Sequence, residues 1–175
     1  LANLFIGTGE LAKVIGRENK VTRTFAADPA KAIFDGKLAV IIDLGTAGPG
    51  EVVAAAVLDR KRGEVVGERS FGAGTEQELK TLRGGDGLLL TVAKWASPNG
   101  VPFLGEDRAT TGVKPSVEVK RPDTPEPVEV DELIDQQEEQ NQNPQPSPTP
   151  AATPEVKKVV DDIQLKKAIE ILQDK

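Results

Sequence analysis

With neither cysteine nor histidine, the chain has no thiol nucleophile, no histidine-based triad and none of the usual zinc ligand sets. Covalent chemistry would have to come from a serine or threonine hydroxyl, a weak nucleophile that needs a neighbouring base to take its proton. In a Ser-Lys pair that base is a lysine whose pKa has been lowered by burial. Thr46 and Ser70 are the hydroxyls to weigh, and Lys80 and Lys94 the amines. Each is weak. Arg69 stands beside Ser70, but a guanidinium stays protonated and makes a poor base. Lysine is by default a solvated surface residue. A carboxylate-only metal site remains open, yet no Asp/Glu spacing follows a calcium loop. Two glycine-rich stretches, 45–50 and 71–74, are the other candidates. Neither holds a P-loop lysine or a full dinucleotide fingerprint, which argues against a phosphate cradle. Gly45, Gly48 and Gly50 also read as backbone punctuation at a tight turn.

The elements that position these stretches follow from hydrophobic pattern. Residues 37–43 are a short continuous apolar run, the mark of a strand buried on both faces of a parallel sheet. The turn 45–50 follows it. A helix is expected over 51–60, with Val52, Val53, Ala56 and Val57 on one side and Gly63 as its stop. A second buried strand is expected over 64–67. This β-turn-α-β order predicts a right-handed crossover. Both glycine-rich stretches then lie beyond the carboxyl ends of strands, where open α/β sheets place their sites. Upstream, 1–6 reads as a helix end stopped by Gly7 and Gly9. Residues 11–15 and 21–25 read as a hairpin across Arg17-Glu18-Asn19-Lys20.

The stretch from Asp43 to Gln77 resembles the catalytic core of the carboxyl-terminal processing peptidases, also called tail-specific proteases. In that family a Gly-Thr/Ser-Ala-Ser-Ala-Ser-Glu run carries the serine nucleophile. A Val-Val-Gly-Glu-x-x-Phe-Gly-Lys-Gly run carries its lysine base. The serine position falls on Gly48 and the lysine position on Ala73, and the family spacing is kept. The resemblance continues in order. Residues 85–92 are similar to a family strand, and 93–100 (Ala-Lys-Trp-Ala-Ser-Pro-Asn-Gly) to its Ala-Arg-Tyr-Tyr-Thr-Pro-Ser-Gly. Residues 112–119 parallel Gly-Ile-x-Pro-Asp-Val, and 164–172 its closing helix. The implied fold is α/β, a partial crotonase- or Clp-protease-like ββα core.

The same resemblance implies that the chemistry is missing. Gly48 has no oxygen to attack with and Ala73 no amine to accept a proton. The residue after the nucleophile lends its N–H to the oxyanion hole in such sites, and here it is Pro49, which has none. Gln77 matches the glutamine that orients the family's lysine. The expected role is therefore a pseudoprotease that binds peptide, scaffolds or regulates. The alternative is an active serine endopeptidase trimming C-terminal tails, with catalytic groups elsewhere. Gly48 and Ala73 should share one cleft, with Gln77 on its rim. Trp95, the only tryptophan, reads as a core or groove-wall aromatic.

Composition sets the rest. A net charge of −6 without a basic face argues against nucleic acid as a partner, and no apolar run reaches the length of a membrane span. No cofactor is expected. Eight of the thirteen prolines fall between residues 121 and 155, around an Asp/Glu/Gln-rich stretch. That composition predicts a flexible linker over 120–155, with a short strand or helix at 128–134. Helical periodicity returns over 156–175 through Val159, Ile163, Leu165, Ile169 and Leu172, an apolar stripe suited to docking. The resemblance makes 1–119 the second half of a catalytic domain. It implies a fragment whose core is completed by an upstream half or another subunit, with protein C-terminal tails as ligands. It further implies a periplasmic or otherwise exported bacterial location.

Overall fold

The computed structural model describes residues 1–122 and 162–173. Nearly all of the linker expected over 120–155, the short element at 128–134 and the helical start at 156–161 lie outside the described residues. Residues 1–120 and 163–175 group as one compact unit.

Two sheets carry the site. In the first, β1 (Glu10–Ile15) and β2 (Val21–Ala26) form the antiparallel hairpin expected there. Its turn closes with the Gly16 N–H donating to the Lys20 carbonyl at 2.8 Å. Glu18 and Asn19 take the left-handed backbone (φ 59° and 57°) that tight hairpin turns need. β5 (Thr75–Thr81) and β6 (Gly87–Ala96) form a second antiparallel pair, and the strand order is β2-β1-β6-β5. β1 pairs with β6 only over Lys13–Ile15 and Lys94–Ala96. Beyond that point the β5–β6 hairpin pairs with itself. Its Leu79, Leu88, Leu89, Leu90 and Val92 are exposed as a result.

The second sheet is the predicted crossover. β3 (Ala39–Ile42) leads through a turn to α1 (Pro49–Asp59) and then to β4 (Glu64–Gly67), which lies parallel to β3. β7 (Val117–Glu118) extends it in the order β3-β4-β7. α1 begins two residues earlier than expected, because a proline suits the first helical position. Its φ is already helical and its missing N–H would have had no intrahelical partner. The alanine run is a strong helix former, and Ala54, Ala55, Ala56 and Val57 are 0–3% exposed against a core of Ile6, Leu11, Ile42, Val65 and Phe103. Arg62, just past the helix, fastens the segment before β3 by donating to the carbonyls of Phe5, Phe34 and Gly36.

Three expectations need correction. The start of the chain forms a single 3-10 turn, Ala2–Leu4, rather than a helix end. β3 is not buried on both faces: Ile42 is buried, but Ile41, which points to the opposite face, is 40% exposed. The last helix, α2 (Ile163–Gln173), packs on β3 and β4 through Gln164 and Ala168, not through the apolar stripe. Ile163, Leu165, Ile169 and Leu172 face outward at 37–47% exposure. Gln164 Nε2 donates to the Val119 carbonyl at 2.8 Å and lies close to Gly67, where an added Cβ would come within 3.4 Å of it.

Gly67 ends β4 at φ +124°, and a Cβ there would lie 2.1 Å from the Ile42 carbonyl oxygen. Replacing Gly67 with Ala combines backbone strain with a clash against backbone. It should lower unfolding free energy by about 2–5 kcal/mol, read as a drop in urea midpoint at unchanged slope.

Candidate functional site

The turn after β3 and the loop after β4 meet beside the N-terminus of α1. Gly48 caps the helix with φ 51° and ψ −113°, a backbone that L residues adopt only under strain. That strand–turn–helix bend is the geometry by which hydrolases expose a nucleophile. A Cβ built on Gly48 has nothing within 4 Å, so the position is open to a side chain. Pro49 follows at the first helical position and presents no N–H.

Gly48, Pro49 and Ala73 line one cavity of about 540 Å³. Its walls are apolar: Leu11 and Ala12 from β1, Val52 and Val53 from α1, and the stacked rings of Phe25 and Trp95, 5.2 Å between centroids. Thr75, the first residue of β5, completes the rim. The structure thus brings together the two positions to which the resemblance assigned serine and lysine. It does not bring Gln77 with them. Gln77 is exposed on β5 after a bulge at Glu76/Gln77 and is not among the lining residues.

The substitute groups are all engaged elsewhere. The Thr46 hydroxyl accepts from the Asp43 N–H at 3.1 Å and donates to the Asp43 carboxylate at 3.2 Å. Ser70 is fully buried, with its hydroxyl donating to Glu51 at 2.5 Å and accepting from the Val113 N–H at 2.7 Å. Lys80 pairs with Glu78 in solvent. Lys94 neighbours Trp95 on β6, but successive strand residues face opposite ways. It lines a separate, open groove of about 1110 Å³ that contains neither Gly48 nor Ala73. Among the described residues no cluster of acidic side chains is placed to hold a metal ion.

Glu51 is the functional residue that the sequence reading passed over. It is 0% exposed. One carboxylate oxygen accepts the Gly48 N–H at 2.9 Å; the other accepts the Ser70 hydroxyl at 2.5 Å and the Gly72 N–H at 2.6 Å. Glu51 therefore ties the turn at position 48 to the loop that carries position 73. Its signal in the sequence was a glutamate three residues after a helix cap, where its side chain returns to the cap N–H. Around it, Arg108 donates to the Phe71 carbonyl at 2.8 Å, and the Phe71 N–H donates to the Thr46 carbonyl at 2.9 Å. The loop holding Arg108 is itself fastened at Asp107, whose pKa is lowered by the Thr110 hydroxyl and backbone N–H bonded to it.

Residues 1–119 match the sequence profile of peptidase family S41. The chain belongs to that family. It is 34% identical over 119 residues to the chloroplastic C-terminal processing peptidase of Tetradesmus obliquus, covering 68% of this chain and 24% of that protein. It is 31% identical over 123 residues to the carboxy-terminal processing protease CtpA of Bacillus subtilis, covering 70% and 25%. Among solved structures it is similar to the photosystem II D1 C-terminal processing protease, with TM-score 0.60 and 32% identity over 68% of this chain and 29% of that one. The chain spans about a quarter of the length of these relatives. The family's mixed α/β architecture is the one described above.

Glu51→Ala should leave the buried Ser70 hydroxyl and Gly72 N–H without an acceptor, at about 1–3 kcal/mol each, and free the half-buried Gly48 N–H. The expected loss is at least about 2 kcal/mol in urea unfolding, with Glu51→Gln losing less because one amide oxygen still accepts. Gly48→Ser should cost only the backbone strain, roughly 1–3 kcal/mol.

Proposed function

We propose that this chain is a proteolytically inactive member of the carboxyl-terminal processing peptidases, which holds peptide as a binding, scaffolding or regulatory subunit. The observation that carries the reading is the shared cavity. Gly48 and Ala73 both line it, and neither supplies a reactive atom. Three contributions are missing at once: the nucleophile, its base and the N–H that Pro49 lacks. The loss of one oxyanion donor alone costs about 10²–10³ in rate. Gln77 then has no base to orient.

In this reading residues 1–119 are the second half of a catalytic domain with a partial crotonase- or Clp-protease-like ββα core. Residues 120–155 are a linker and 156–175 a closing helix. The segment is a fragment of an exported bacterial protein, and an upstream half or another subunit completes its core. Its ligands are the C-terminal tails of proteins, the substrates that the printed names of its relatives imply for those proteins.

The competing reading, an active endopeptidase with a relocated nucleophile, would have to use Thr46 or Ser70. The hydroxyl bonds at both residues, and the complete burial of Ser70, favour the inactive form.

The purified chain should not hydrolyse unstructured substrates with apolar C-termini, and a fluorophosphonate should leave it unlabelled. Gly48→Ser with Ala73→Lys should recover little activity, and adding Pro49→Ala should recover more by restoring an oxyanion donor. Turnover by the unmodified chain that disappears on Thr46→Ala or Ser70→Ala would overturn the reading.

A further inference from the structure

The β5–β6 hairpin presents apolar side chains and a free backbone edge together. β5 is the last strand of its sheet among the described residues. Which of its residues face outward follows from the hairpin register. The Leu82 N–H donates to the Asp86 carbonyl at 2.8 Å, and opposite pairs in an antiparallel ladder alternate between hydrogen-bonded and not. Counting back through Thr81↔Gly87, Lys80↔Leu88 and Leu79↔Leu89, the residues that turn their N–H and carbonyl groups away from β6 are Thr81, Leu79 and Gln77. Such an edge is a template for another strand. On one face of it stand Leu79 and its cross-strand neighbour Leu89, 65% and 58% exposed.

Charge selects the occupant. A second copy of β5 laid antiparallel across a twofold axis must match outward residues with outward residues. Centred on Leu79, that pairing sets Gln77 opposite the partner's Thr81 and Glu78 opposite the partner's Lys80, and symmetry repeats both. Recentred by one residue either way, it sets Glu78 opposite the partner's Glu78 or Lys80 opposite the partner's Lys80, and like charges directly opposite are destabilising. Glu78 and Lys80 share a face, where they already pair within one strand. On the other face the Leu79-centred register gathers Leu79 and Leu89 of both copies into one apolar patch. The sequence of β5 is thus complementary to itself in a single register. Residues 88–92 of β6, by contrast, carry no charge to fix one.

We propose that two copies of this chain associate through β5, antiparallel and centred on Leu79, into a continuous sheet of order β6-β5-β5-β6. The paired stretch, 77–81, includes no residue that lines the cavity beside Gly48 and Ala73. The proposal therefore goes beyond the inactive reading above, and its failure leaves that reading untouched. One short strand pairing buries less than a standard protein interface, which places the association in the micromolar range.

Sedimentation velocity of the full chain over a concentration series should show a monomer–dimer equilibrium. Glu78→Lys and Lys80→Glu each set like charges at both facing pairs, and each should weaken self-association by about tenfold or more. An equimolar mixture of these two variants has opposite charges across the interface again, although the pair within each strand stays broken. The mixture should dimerise as the original chain does, which separates the interface from any effect on the monomer. Leu79→Lys should abolish association, whereas Leu165→Lys, on the outward stripe of α2, should leave it unchanged. All four positions are exposed, so these changes remove no core packing. A monomer at every concentration overturns the proposal. So do single charge variants that dimerise as well as the original chain, a mixture that associates no better than its components, or loss of association in Leu165→Lys.

Discussion

The arrangement around the cavity depends on one buried carboxylate. Glu51 sits in the first turn of α1 and reaches back to the cap and across to the neighbouring loop, taking hydrogen bonds from Gly48, Ser70 and Gly72. These donors come from two segments that the β-α-β crossover brings side by side but does not itself join. Without an acceptor between them, the Ser70 hydroxyl and the Gly72 N–H would be buried unpaired, a sizeable cost against a small domain's stability. A glutamate at the positive end of a helix also suits the helix dipole. Ser70 extends the network by accepting from Val113, which links the loop to the segment leading into β7.

With this frame intact, the residues at positions 48 and 49 each make the fold easier to hold. Glycine adopts φ 51° and ψ −113° without the strain that a serine would carry there. Proline preorganises the first helical turn. Alanine at 73 is exposed at the mouth of the cavity that Val52, Val53 and Trp95 line. Catalytic sites commonly trade stability for reactivity. At positions 48 and 49 the residues present favour stability.

Much of this was legible in the sequence. Strand, turn, helix and strand between residues 37 and 67 announce themselves through an apolar run, glycines and an alanine-rich segment. The parallel pairing then follows from the handedness of short crossovers. The hairpin at β1–β2 was legible because its β-branched and aromatic residues flank a polar turn. Less legible were elements whose partners are distant. The Leu88-Leu89-Leu90 run has the composition of a buried strand, yet it lies in a hairpin that pairs chiefly with itself and is exposed. The stripe on α2 has the periodicity of a docking face, yet the helix turns Gln164 and Ala168 to the sheet, where the Gln164 amide finds the Val119 carbonyl far along the chain.

The sequence by itself determined the family frame, the order of the site-bearing elements and the absence of a reactive side chain at positions 48 and 73, since residue identity and local periodicity are carried by neighbours along the chain. The tertiary structure decided that Gly48 and Ala73 line one cavity, that Gln77 is not part of its lining and that Glu51 joins the two loops. Those facts depend on contacts between segments some twenty residues apart, whose distances and backbone angles are fixed only when the sheets pack against α1.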